Sequence, residues 1–158
     1  MTGTSLASLI AIILVSSVPL PKEVIAAKYK QFNAIYLKGN RTAMDAWIKG
    51  NCLTGFAYTS YHKTKYSRDG FRASILQDMA NTSKVIQSTL VVRQVQKQGT
   101  AQSAIIASEF KGNVVIDSRR FVLTDKSVDT DTWVQVGKDW KLKQRVEVNE
   151  DMQLQPDD

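Results

Sequence analysis

One histidine stands in the chain, His62, at the end of the run Phe56-Ala57-Tyr58-Thr59-Ser60-Tyr61-His62. Imidazole is the side chain whose ordinary pKa suits proton transfer near neutrality. With Tyr58 and Tyr61 beside it, His62 is a candidate general base or ligand hydrogen-bonder; its plainer reading is a surface-loop residue next to Lys63 and Lys65. Glu109, which ends the run Ala104-Ile105-Ile106-Ala107-Ser108, is the second catalytic candidate. It either points into the fold as a buried acid or faces water and pairs with an arginine of a neighbouring strand. Tyr29, Tyr36, Trp47, Tyr58, Tyr61 and His62 combine apolar bodies with polar tips, the build of a small-ligand site. The same aromatics also suit simple core filling, with each polar tip on a backbone partner.

Other chemistries lack their residues. The only cysteine is Cys52, beside Leu53, so no internal disulfide forms and a small buried apolar role is expected. One His and one Cys make no zinc cluster. There is no Gly-rich phosphate loop and no haem motif, so no cofactor is implied. The net charge is +6, yet Glu150, Asp151, Asp157 and Asp158 lie at the C-terminal end, leaving residues 22–149 with 21 bases against 11 acids. Those bases are scattered and not interleaved with stacking aromatics, which argues against a specific nucleic-acid surface. The densest group, Lys138 to Arg145, reads as a solvated strand face.

At 158 residues the chain suits one domain with a substantial core. Residues 1–21 carry an apolar run, Leu6 to Val15, then small residues and Pro19, the layout of a secretory signal. An uncleaved N-terminal anchor, and with it the only membrane contact, is the alternative, although the run is shorter than the roughly 20 residues of a span. The expected location is therefore secreted or periplasmic. Residues 22–149 form the domain and 150–158 an acidic tail.

Within the domain Ile25, Tyr29, Phe32 and Tyr36 recur at helical spacing and predict a helix over Lys22–Leu37, ended by Gly39. Met44, Trp47 and Ile48 predict a second over Arg41–Lys49, closed by Gly50. Leu53 to Tyr61 reads as a strand, and Ser67 as the N-cap of a helix through Met79 with Phe71 and Ile75 on its apolar stripe. Strands are expected over Val85–Gln96, Ala101–Lys111 and Arg119–Thr124, with turns at Gly99 and Gly112-Asn113. A last hairpin, DTWVQVGKDWKLKQRVEV, turns at Gly137–Asp139. Its alternation sets Trp140, Leu142, Val146 and Val148 inside and Lys141, Lys143, Arg145 and Glu147 in water. If Val136 pairs with Trp140, Trp133 and Gln135 fall on the outer face, where an exposed Trp suits a dimer interface. The class is α+β.

The helix ending in Lys38-Gly39-Asn40, the short helix after it and the Trp133…Gly137…Trp140 hairpin resemble the nuclear transport factor 2-like superfamily, in its SnoaL-like branch, over residues 24–148. The resemblance implies a cone-like curved antiparallel sheet packed against three N-terminal helices, with a pocket at its open end. Many proteins of this superfamily dimerise through the outer sheet face, and a homodimer is expected here. The superfamily spans isomerases, dehydratases, epoxide hydrolases and non-catalytic binders, so function rests on the pocket. A ketosteroid-isomerase-like site needs a carboxylate on the first strand; Phe56–His62 has none. An epoxide-hydrolase-like Asp–Arg–Asp set would draw on Glu109 or Asp117 with Arg93, Arg119 or Arg120. The expectation is an exported, non-catalytic SnoaL-like domain binding a small apolar or amphipathic ligand or acting as an envelope interaction module. The alternative is a small-molecule isomerase, dehydratase or hydrolase using His62 or Glu109.

Overall fold

The computed structural model describes residues 20–157, so the N-terminal apolar run and its expected export role lie outside the described residues. Pro21 opens α1 (Pro21–Leu37), a position where its missing N–H sacrifices no helical bond. Gly39, at φ +61°, turns the chain out of the helix. Asn40 caps α2 (Arg41–Asn51) by accepting the Ala43 N–H at 2.9 Å. This helix passes through Gly50, expected as its stop, and ends one residue later. Ser67 caps α3 (Arg68–Asn81) by accepting from Gly70 N at 3.2 Å. The three apolar stripes bury Ile25 and Tyr29, then Met44, Trp47 and Ile48, then Phe71 and Met79.

Six strands accompany the helices: β1 (Cys52–Thr59), β2 (Lys65–Ser67), β3 (Thr82–Gln98), β4 (Ala101–Ile116), β5 (Arg119–Val136) and β6 (Asp139–Pro156). They form one open, curved sheet in the order β2-β1-β6-β5-β4-β3. The helices pack on its concave side, as the α+β cone requires. The sheet is mixed rather than antiparallel throughout: β1 enters from α2 and lies parallel to β6, with no hairpin to reverse it, while the other neighbours are antiparallel.

The C-terminal strands are longer than the sequence suggests. Gly112 is no turn; it lies inside β4 opposite Val85. A Cβ there would stand 2.6 Å from Phe110 Cζ and 2.8 Å from the Lys84 carbonyl oxygen, so glycine serves close approach to a neighbouring strand. The reversal comes later, at Asp117 and Ser118, both with positive φ. Arg119–Thr124 and the first arm of the expected hairpin are one strand, β5. The expected acidic tail is likewise strand: Glu150 to Pro156 pairs with Ser127 to Phe121.

Register carries the most consequential correction. The final turn is the two-residue Gly137-Lys138, with Val136 opposite Asp139 and Gln135 opposite Trp140. A one-residue change of register exchanges the two faces of a strand. Trp133 therefore points inward, fully buried, and offers no outer dimer surface, while Gln135 stays exposed. On β6 the pairing slips twice, leaving Lys143 and Val148 as extra residues. Each bulge reverses the inward–outward phase of the residues beyond it. Leu142 is inside as expected, but so are Arg145 and Glu147, whereas Val148 is half exposed. The group Lys138–Arg145 is thus not a uniformly solvated face.

Candidate functional site

Between the helices and the curved sheet lies a hollow of about 450 Å³. Its helical wall is aromatic: Phe32 and Tyr36 from α1, Phe71 from α3, with Ile75. Tyr36 meets Phe110 of β4 edge-on at 5.7 Å, and Tyr58 of β1 meets Phe71 at 5.3 Å. The sheet wall is polar. Alternate residues of β5 face inward, Asp125, Ser127, Asp129, Asp131 and Trp133, while Val128, Thr130, Thr132 and Val134 form the convex surface.

The two deepest inward positions form a buried network. Asp131 is fully buried and receives Arg145 Nε at 2.9 Å and Arg145 Nη2 at 2.7 Å. The Tyr29 hydroxyl also donates to Asp131 and in turn accepts Trp133 Nε1 at 3.2 Å. Burial disfavours the charge of Arg145, but Asp131 and Asp129 more than offset it and hold the guanidinium protonated. Its Cζ lies 5.7 Å from the Phe71 ring centroid, within cation–π range.

Above this network the hollow carries unsatisfied acids. Asp129, its side chain only 9% exposed, accepts no hydrogen bond among the described residues. Its nearest cation, Arg145 Nε, is 4.0 Å away and is committed to Asp131. Burial pushes its carboxyl up to about 7, against the pull of Arg145. Asp125 has a buried Oδ1 without a partner, and burial together with Glu150 and Glu147 raises it to about 6. Asp78 of α3, also on the wall, is raised by burial. Glu147 is better served: its Oε2 accepts the Tyr58 hydroxyl at 3.0 Å and the Tyr61 N–H at 2.9 Å. Carboxyls that titrate near neutrality, beside a tyrosine and a guanidinium, can take up and release a proton or complement a positive ligand.

Of the residues singled out in sequence, Tyr36, Tyr58 and Glu109 line the hollow. Tyr29 lies in the network beneath it, and Trp47 in the core against Phe32 at 4.9 Å. Tyr61 is exposed. His62 is at the rim, its side chain 79% exposed and its Nε2 3.4 Å from Glu150. The carboxylate of Glu109 pairs across to Lys126 of β5 at 3.4 Å, a cation of the next strand, but a lysine. Neither His62 nor Glu109 shares a hydrogen bond with a tyrosine hydroxyl among the described residues. Asp117 sits in the β4–β5 turn with Arg119 and Arg120 exposed beyond it, and Arg93 is exposed on β3. The Asp–Arg–Asp grouping sought from those residues is formed instead by Asp129, Arg145 and Asp131. Cys52 is buried, and burial pushes its thiol up to about 12, leaving it unreactive. The signal for the missed residues is a period of two: Asp125, Ser127, Asp129 and Asp131 share the face of Trp133.

Three helices on the concave side of an open six-stranded sheet, enclosing a polar-floored hollow, define the nuclear transport factor 2-like fold, and this chain has it. No protein-family model matches the chain, and no curated protein does. Among solved structures it is similar to an NTF2-like protein from Cytophaga hutchinsonii, with a TM-score of 0.64 at 8% identity, covering 82% of this chain and 98% of that one. It is similar to LinA, with a TM-score of 0.63 at 14% identity, covering 85% and 88%. A third is an NTF2-like protein of unknown function in nutrient uptake from Rhodospirillum rubrum, with a TM-score of 0.57 at 17% identity, covering 78% and 95%. At these identities the likeness is one of fold.

Proposed function

We propose that this protein binds a small amphipathic molecule in the hollow of its cone, and, on the reading of residues 1–21 as an export signal, that it does so outside the cytoplasm. The hollow itself carries the reading: about 450 Å³, walled by aromatic rings on one side and by polar groups with spare hydrogen-bonding capacity on the other. A preformed cavity of that size and mixed lining is the usual build of a small-ligand site. Ligand-observed NMR against a fragment library, repeated with Ile75→Trp to fill the hollow, tests it. Hits lost in the variant support the site; hits that persist unchanged, or no hits, contradict it.

A second reading, acid–base catalysis, is favoured by one observation: Asp129 is held near 7 within the hollow, beside Arg145. A carboxyl poised there exchanges protons at working pH more readily than an ordinary one. Turnover of a bound compound, abolished by Asp129→Asn with binding retained, would establish it; binding without turnover leaves the first reading.

A further inference from the structure

We propose that the molecule bound in the hollow is an organic cation, an ammonium or amidinium carried on an apolar body. The proposal rests on the hollow being a binding site and deepens that reading. The chain as a whole is basic, at +6, yet its hollow is lined by Asp78, Glu109, Asp125, Asp129, Glu147 and Glu150 against the single guanidinium of Arg145, only Glu109 of the six reaching a lysine, Lys126. That guanidinium is spent on Asp131 through two hydrogen bonds. Asp129 is nine-tenths buried with no hydrogen-bond donor, and Asp125 Oδ1 is buried without a partner. A buried carboxylate without a counter-charge of its own is costly, and a positive group seated in the hollow relieves that cost through its charge.

The opposite wall suits the same guest. Phe32, Tyr36, Tyr58 and Phe71 line the hollow, and aromatic rings attract a desolvated positive group. A metal ion is a poor match, because among the described residues no three carboxylate, His or Cys side chains converge at ligating distance. The carboxyls are dispersed around a space that a bare ion would leave mostly empty. An anionic or neutral apolar guest would leave the acids unpaired.

Isothermal titration of the full chain with benzyltrimethylammonium, 2-phenylethanol and 3-phenylpropionate tests the charge preference at constant ring size. The quaternary cation has no titratable proton, so any pH dependence belongs to the protein. The cation is expected to bind about ten-fold more tightly than the alcohol, with the carboxylate weakest. Asp129→Asn, and separately Asp125→Asn, should erase most of that preference, read as the ratio of cation to alcohol affinity within each variant. Either variant suffices if the other does not fold. Equal binding of cation and alcohol, or a preference that survives in the variants, overturns the charge assignment and leaves the cavity reading standing. If no probe of any charge binds, the cavity reading fails and the proposal with it.

Discussion

Asp131 and Arg145 face each other in register across the β5–β6 ladder and are joined by two hydrogen bonds, at 2.9 and 2.7 Å, with the carboxylate wholly removed from solvent. This pair anchors the floor of the hollow, since Tyr29 of α1 and Trp133 of β5 complete its hydrogen bonding. Removing one partner of a buried pair strands the other charge, at a cost of about 3–5 kcal/mol. Asp131→Asn is expected to lose that much in urea unfolding. Glu109→Gln, which breaks an exposed pair with Lys126, is expected to lose less than about 1 kcal/mol. Equal losses would show that Asp131 and Arg145 are not buried together.

Gly112 offers a test of strand packing rather than of charge. Any Cβ at this position meets the Lys84 carbonyl and the Phe110 ring at contact distances a carbon atom does not tolerate. Gly112→Ala should destabilise by about 1–3 kcal/mol. Gly55→Ala in β1, where a Cβ meets nothing within 4 Å, should be near neutral or slightly stabilising. Were residue 112 in a surface turn, the two substitutions would not differ in this direction.

The helices were legible because their information is local. The apolar stripe Ile25–Tyr29–Phe32, the Ser67 cap and the stop near Gly39 each act within one or two turns. The sheet was legible in kind but not in phase. Alternation read continuously from Trp140 to Val148 assumes an unbroken ladder, and the bulges at Lys143 and Val148 break it without any local residue signature. Arg145 and Glu147 consequently read as wet residues and prove to be the polar floor. On β5 the acids Asp125, Asp129 and Asp131 alternate with the β-branched residues Val128, Thr130, Thr132 and Val134. The latter lie on the convex face, while Asp125 and Asp129 take the inside against the hollow and Asp131 against Arg145 and Tyr29 beneath it.

Stability should depend on pH in the direction set by the two raised carboxyls. Asp129 titrates at about 7 and Asp125 at about 6 in the folded chain, both pushed up first by burial. Between about pH 4 and pH 7 the folded state therefore holds protons that the unfolded state has released. Stability is full below the unfolded value and is lost as pH rises through the folded ones. Urea midpoints are expected to fall between about pH 5 and pH 8 by the equivalent of roughly 2–4 kcal/mol, and Asp129→Asn should flatten most of that slope. Asp139, drawn down to about 2 by Lys141, with Lys28 adding to it, acts with the opposite sign, but its window lies below about pH 4 and does not overlap. A midpoint that rises toward pH 8 would contradict the burial of both acids.

The carboxyl carbon of Asp129 reports on the acidic hollow without any need to know the ligand. Followed by carbon-13 NMR in the full chain, it is predicted to titrate with a midpoint near 7. Saturating benzyltrimethylammonium should move that midpoint down, because a cation in the hollow favours the ionised form. A midpoint near that of an ordinary aspartate, about 4, unchanged by the cation, would mean that Asp129 faces water and that the acidic hollow is not a binding site.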